Sequence, residues 1–439
     1  MNYLFKNDVL SFSSYTEDYT TEISKEFEIK AKKLSLLSKI DDLFDGKIVN
    51  NTENRAALHP LCRKNNKNFL NEKVFTEFNE NYIYESAVDK RKADNIVTIG
   101  IGGSFEGPKL LIENLGNDCA FNHIFITGSD PRELRSKIKY LDPKRTVFIV
   151  SSKSFTTDET LANLKDAISW SGDLNKFIAI TSNKDEASKY NIKYILEFDR
   201  QIGGRYSIWS SISLPAFYEM KNNDTPLNNS ESFCKGGHQA DLDLRNDIEY
   251  QDFVKRLSFS DIWFHNNNNK STRVVLAYIW KLRSLPNYFQ QLEMESLGKR
   301  HNKNSEFKKT GQIIFGGYGP TAQHSYFQLL HQGTHDICAD IIIDEEDCQS
   351  LAYAQAHTQA KLLSEGINEP LKDEEIINGN IPTNLFSLNK TNAYSLGYLI
   401  ATWEHRTFIT SVMLGINAFD QFGVNAGKIH TKNFLFNKN

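Results

Sequence analysis

From residue 96 onward, short apolar runs rich in β-formers alternate with stretches of helical character. The runs 96–101, 123–127, 147–150 and 177–181 predict strands, and helices are expected up to about residue 115, over 131–141 and over 157–170. Strands alternating with helices at this spacing predict βαβ units and a parallel sheet. A second set follows, with strands expected at 288–294, 312–315 and 337–343 and helices at 273–285, 323–331 and 392–415. Residues 1–95 are polar and mostly helical in character, and 219–272 reads as a loop- and helix-like connection carrying the Asn266–Asn269 run. The expected class is α/β, with two mostly parallel sheets flanked by helices and helical extensions at both ends. The expected units are 1–95, 96–218, 219–272, 273–390 and 391–439.

One run resists a simple split into core and surface. In QQLEMES, residues 290–296, a strand alternation puts Phe289, Gln291, Glu293 and Glu295 on one face and Gln290, Leu292 and Met294 on the other. The apolar side is explained as core, but the alternation cannot choose between the two acids.

Composition narrows the function classes. At 439 residues the chain is long enough for two or three packed units. A net charge of −4 with no basic stripe gives no reason to expect nucleic acid. No apolar run approaches the roughly 20 residues that cross a bilayer, and the start lacks a signal-peptide pattern. The five cysteines, Cys62, Cys119, Cys234, Cys338 and Cys348, are scattered without CxxC spacing. They predict neither a disulfide frame nor a zinc site, and the expected location is the cytosol.

In an open parallel sheet, ligands sit beyond the carboxyl ends of the strands. Two clusters fall there: Gly100-Ile-Gly-Gly-Ser104 after the first strand and Ser151-Ser-Lys-Ser-Phe-Thr-Thr157 after the third, each opening a helix. Hydroxyls and free N–H groups at a helix start suit a dianionic phosphate. Either Ser/Thr run alone could simply cap its helix, and two after strands of one sheet favour a ligand. Neither GxGxxG nor a Walker Gly-Lys-Ser/Thr is present, which points away from a dinucleotide or ATP and toward a small phosphorylated metabolite. Further on, Gly203-Gly204-Arg205 could present a guanidinium on a tight turn. Gln323-His324 opens the stretch reaching His331, seven residues away, which is not a metal-binding spacing. Lys428 follows a glycine-punctuated turn near the end.

Taken together, these segments resemble the glucose-6-phosphate isomerase (phosphoglucose isomerase) family. The resemblance rests on Gly102-Gly103-Ser104, Ser152–Thr157, Gly203–Ser207, Gln291-Leu-Glu-Met-Glu295-Ser296, Gln323-His324 through Thr334, and Asp420-Gln421 through Gly427-Lys428. These occur in the family's order, and Thr52–His59 resembles a family N-terminal element. The resemblance implies two sugar-isomerase domains and a homodimer whose active sites draw on both chains, with glucose 6-phosphate and fructose 6-phosphate as the interconverted sugars. It implies Glu295 as the base, Arg205 as the group stabilising developing negative charge, and Gln291 as a hydroxyl-binding group. His324, supplied by the neighbouring subunit, and Lys428 would open the sugar ring. Ser152, Ser154 and Thr157, with Lys153 contributing mainly its backbone, would hold the phosphate beside Ser104. Gly103, Gly204 and Gln421 would also contact substrate. No metal or organic cofactor is implied. The chain departs from the family pattern at Leu297, at Gly317–Ala322 and at Asn425, positions that flank the implied catalytic residues. Two other readings are a non-catalytic sugar-phosphate regulator and an isomerase of another phosphosugar.

Overall fold

Three runs buried along their whole length, Asn95–Ile99, Thr146–Ser151 and Phe177–Thr181, form the middle of the first sheet. The computed structural model describes residues 3–16, 18–65, 72–85, 88, 90–115, 121–218, 226–367, 369 and 372–436. The sheet runs Tyr194–Glu197, Phe177–Thr181, Thr146–Ser151, Asn95–Ile99, Asn122–Ile126, and every pairing is parallel. Strands buried on both faces are what a parallel sheet between helical layers requires. The four expected strands are present, and Tyr194–Glu197 is an edge strand that the sequence pattern did not signal. After Asn95–Ile99 the chain first pairs to one side with Asn122–Ile126, then crosses to the other side with Thr146–Ser151. The two loops that leave this reversal point are the two glycine- and hydroxyl-rich clusters.

The second sheet has the order Tyr3–Lys6, Leu10–Tyr15, Thr383–Leu388, Ile337–Asp344, Thr272–Ala277, Ile313–Tyr318. Its last four strands are parallel, and an antiparallel hairpin from the chain start extends it. Residues 1–95, expected to be mostly helical, therefore begin with two strands. In the inner one, Leu10, Phe12 and Ser14 alternate inward, a period-two pattern in a short segment.

Two further expectations are corrected. Residues 273–285 were expected as a helix, but Thr272–Ala277 is a central strand carrying adjacent valines, the β-branched composition strands favour. Residues 288–294 were expected as a strand, but they lie inside the helix Leu285–Leu297. That helix has Pro286 in its first turn, holds no β-branched residue and is rich in Leu, Gln, Glu and Met, all good helix formers.

The expected helix over 323–331 is also interrupted. Gly319–Ala322 and Phe327–Gln332 are separate short helices. Between them, His324 N–H donates to Thr321 O at 3.1 Å and Ser325 N–H to Ala322 O at 2.9 Å, a tight turn. His324 and His331 therefore do not share a helix face.

The expected long helix appears as Ala393–Leu414, capped at its start by reciprocal bonds of Asn392 and Ser395. It is buried along nearly its whole length and packs against the helix Pro226–Asn246. A Cβ at Gly397 would lie 2.0 Å from Phe233 O, so the crossing needs glycine. Among the described residues no helix is long and apolar enough to cross a membrane. Among the described residues Cys62, Cys234, Cys338 and Cys348 form no disulfide, and Cys119 lies outside the described residues.

Candidate active site

The two loops at the reversal point form a hydroxyl-lined shelf. Ser152 Oγ lies 3.1 Å from Thr157 Oγ1 and accepts from Phe155 N–H at 3.2 Å, while Ser154 Oγ lies 2.7 Å from Thr156 Oγ1. Phe155 takes a left-handed backbone (φ 52°) with its ring buried, which folds the loop back over the strand end. Thr157 precedes the helix Asp158–Ser171 but spends no side-chain bond on capping it, so its hydroxyl faces Ser152 instead. Lys153 Nζ donates to Ile202 O at 2.7 Å, and burial pulls its pKa down to about 8. Its ammonium is thus committed to the loop that leads into Gly203.

The second loop, with the short turn Gly102–Ser104, opens the helix Glu106–Leu115. A Cβ at Gly103 would lie 1.8 Å from Gly204 O, so backbone stacks directly on backbone here. Ser207 Oγ reinforces the contact by donating to Gly103 O at 3.3 Å. Ser104, Gly103, Gly204 and Arg205 are thereby brought to one place.

Helical geometry divides the acids that strand alternation could not. Gln291 and Glu295, four apart, share one face, with Gln291 Nε2 3.4 Å from Glu295 Oε2. Glu293, about 200° away around the axis, points into the core. There it pairs with Arg273 and accepts from Trp403 Nε1 at 2.6 Å. Arg273 also meets Asp261 at 2.6 Å and Asp340 at 3.3 Å, and Arg406 ties the same two aspartates. Glu293 is a structural acid, and burial raises its pKa.

Arg205 is fully buried and saturated with acceptors. Its Nε donates to Ser296 Oγ at 2.6 Å, Nη1 to Gln421 Oε1 at 2.8 Å, and Nη2 to Asp420 O at 3.1 Å and to Ala418 O. Nη1 also lies 3.4 Å from Glu295 Oε2, whose side chain remains 24% exposed. A buried cation thus faces one oxygen of a partly open carboxylate. Gly102, Gln291, Glu295, Gln421 and Glu106 line a cavity of about 800 Å³ in front of this pair.

Sequence reasoning missed Lys299, which lines the same cavity. Its Nζ donates to Glu295 O at 2.7 Å and to Asp420 O at 2.6 Å, and lies 3.2 Å from Asp420 Oδ1. Burial lowers its pKa. Asp420 Oδ2 in turn accepts from Thr52 Oγ1 at 2.7 Å, tying in the N-terminal stretch. The signal was the four-residue step from Glu295 to Lys299, visible only once the segment is known to be helical.

Two expected residues stand apart from this group. His324 is exposed in its turn, and Lys428 is exposed on the helix Phe422–Phe436. Among the described residues, no hydrogen bond or ion pair joins either to Glu295 or Arg205. Lys432, one turn beyond Lys428, lies 3.4 Å from Asp158 Oδ2, which brings the C-terminal helix against the start of Asp158–Ser171 and hence near the hydroxyl shelf.

A doubly wound sheet with a hydroxyl shelf at its reversal point, and beyond its edge strand a guanidinium that meets a carboxylate carried by a second α/β unit, fits the sugar-isomerase class of α/β proteins. The chain belongs to the phosphoglucose isomerase family, whose model matches residues 14–437. A relative from Shewanella sp. (strain MR-4), called glucose-6-phosphate isomerase, is 35% identical over 486 residues, covering 97% of this chain and 88% of its own length. The crystal structure of a glucose-6-phosphate isomerase from Chlamydia trachomatis superposes with a TM-score of 0.86 at 23% identity, covering 98% of this chain and 89% of that one. A tagatose-6-phosphate ketose/aldose isomerase from Escherichia coli shares the fold more distantly, with a TM-score of 0.54 at 12% identity, covering 83% of this chain and 92% of that one.

Proposed function

We propose that this protein interconverts D-glucose 6-phosphate and D-fructose 6-phosphate by moving a proton between C2 and C1 of the open-chain sugar. The observation that carries the reading is the 3.4 Å approach of Arg205 Nη1 to Glu295 Oε2 at an open cavity. Aldose–ketose isomerisation needs one base that takes a proton from one carbon and returns it to the next. Glu295 is that base. Its Oε2 is oriented by Arg205 and Gln291, and the buried guanidinium stabilises negative charge as a cis-enediolate forms. Gln291 and Gln421 hold sugar hydroxyls. Ser152, Ser154 and Thr157 hold the phosphate, with Ser104 beside it and the Gly103–Gly204 backbone contact letting the substrate lie close to the chain. Lys428 and His324 serve the separate ring-opening step, His324 exchanging a proton near neutral pH.

A coupled assay comparing glucose 6-phosphate, mannose 6-phosphate and glucosamine 6-phosphate tests the reading. Turnover of glucose 6-phosphate well above the other two is expected. No turnover of any of them would leave a sugar-phosphate-binding regulator, and preference for another sugar would move the substrate assignment.

The working unit we propose is a homodimer in the cytosol. The C-terminal helix leaves Phe422, Ile429, Phe434 and Leu435 more than half exposed, with Phe422 and Ile429 on one face, apolar surface suited to a second copy of the chain. His324, exposed and unbonded to Glu295, is then supplied across the interface. Mixing the inactive variants Glu295→Gln and His324→Gln tests this. After subunit exchange, half of the dimers are mixed, and each mixed dimer has one site with both residues intact, so about a quarter of wild-type activity returns. If each site used its own chain's histidine, none would return.

A further inference from the structure

The molecule has a second cavity of about 830 Å³, formed by the helices Thr21–Lys33 and Leu36–Phe44, the start of Ile248–Asn266 and the first strand. None of the residues lining it lines the cavity at Glu295. Buried Ala31 and Leu36 line it together with Thr21, Ser24, Ser35 and Ser38.

The charges around it are unevenly paired. Glu28 and Asp252 both lie on Lys255 Nζ, at 2.7 and 2.9 Å, so the two acids and this lysine satisfy one another. Arg256 has no carboxylate and no hydrogen-bond acceptor among the described residues. Its guanidinium instead sits between two rings, 4.7 Å from the centroid of Tyr3 and 4.9 Å from that of Tyr19. Burial lowers its pKa. Arg205 bonds to several acceptors, and the buried Arg63, Arg273 and Arg406 each form ion pairs with two or more carboxylates. A half-buried guanidinium is normally paired, because water is partly excluded and a partner must replace it. The rings hold the guanidinium plane by cation–π attraction but accept none of its N–H groups in the plane. Those N–H groups are left for an occupant of the cavity.

We infer that this cavity is a binding site for a small organic anion, a carboxylate or phosphate ester with a short apolar body. The anion would take a bidentate pair of bonds from Arg256, and the body would lie on Ala31 and Leu36. Lys32, which also lines the cavity and makes no ion pair among the described residues, adds attraction at the rim. Lys255 offsets one of the two carboxylate charges of Glu28 and Asp252, and with Lys32 and Arg256 the lining is net positive.

The probe pair 4-fluorobenzoate and 4-fluorobenzamide, similar in shape and differing in charge, tests the site by 19F NMR titration. Wild-type protein should bind the acid about tenfold or more tightly than the amide, and Arg256→Met should lose about tenfold or more of that affinity. Arg256→Met should retain isomerase turnover, which certifies its fold, since Arg256 has no part in the cavity at Glu295. Equal binding of acid and amide to wild type would overturn the proposal without reference to any variant. Unchanged affinity in active Arg256→Met would overturn it equally.

Discussion

The helix Leu285–Leu297 makes opposite demands on two acids two residues apart, and substituting each should separate stability from activity. Glu293→Leu removes an acceptor from Arg273 and from the buried Trp403 indole, which donates at 2.6 Å. Arg273 keeps Asp261 and Asp340, so it is not stranded. The indole N–H loses its acceptor, at about 1–3 kcal/mol for a buried donor. The ion network loses one of its members, and breaking a buried pair from one side costs about 3–5 kcal/mol. Because Arg273 retains two partners, the combined cost should fall near the lower end of the two, about 4 kcal/mol. Glu295→Gln removes the charge from the 3.4 Å contacts to Arg205 and Gln291, and Arg205 keeps Ser296, Gln421, Ala418 and Asp420 as acceptors. For a side chain with that exposure, the stability change should stay within about 0.5–1 kcal/mol.

Activity should move the other way. Removing a general base typically costs about 10²–10⁴-fold. Glu295→Gln should therefore lose at least a hundredfold in kcat with a near-wild-type urea midpoint. Glu293→Leu should show a clearly lowered midpoint and, in the folded fraction, turnover within about tenfold of wild type. Urea denaturation followed by tryptophan fluorescence, with a coupled isomerase assay on the same preparations, reads both. Retention of more than about a tenth of kcat in Glu295→Gln would refute its role as base. An unchanged midpoint in Glu293→Leu would refute the division of the helix into a reactive and a structural face.

Three other outcomes are expected. Lys299→Met should lower kcat by about ten- to a hundredfold with little change in KM, because the brace between Glu295 O and Asp420 is lost and the base is misplaced; Lys299→Arg should recover part of it. Gly103→Ala places a Cβ 1.8 Å from Gly204 O, so the two loops must separate, and kcat/KM should fall by about a hundredfold or more in steady-state assays. Lys153 has a folded-state pKa of about 8 against an ordinary value of 10.5. The native state releases this proton first, so its contribution to stability rises with pH between those values, and urea midpoints of Lys153→Met should lack that rise when compared with wild type from pH 7.5 to 10.

Much of the first sheet was legible because its central strands are short apolar runs, each ending in a glycine or hydroxyl cluster. Buried parallel strands have no polar face to confuse with a helix, and their loops carry the turn and capping residues that mark the ends. The second sheet was harder to read. Thr272–Ala277 holds Arg273 near its start, and a charged residue beside an apolar run reads as part of an amphipathic helix. Only the acids from Ile248–Asn266, Leu285–Leu297 and Ile337–Asp344, far apart in sequence, make that arginine tolerable in a strand. The N-terminal hairpin is legible only against Thr383–Leu388, more than 360 residues away.

The helix Leu285–Leu297 reads as a strand for a different reason. Positions 291, 293 and 295 share a face in a strand, and positions 291 and 295 also share one in a helix, so two of the three polar residues fit both periods. The residue that distinguishes them is Glu293, since a helix sends it to the far side. There it must find a buried cation, and Arg273 lies on a strand that the sequence pattern did not show. The step to Lys299 was hidden by the same misreading. The error in one element therefore propagated to the site. Choosing the wrong period left two candidate acids and no brace, whereas the right one leaves one open carboxylate, one buried carboxylate and, just past the helix end, a lysine that ties Glu295 O to Asp420.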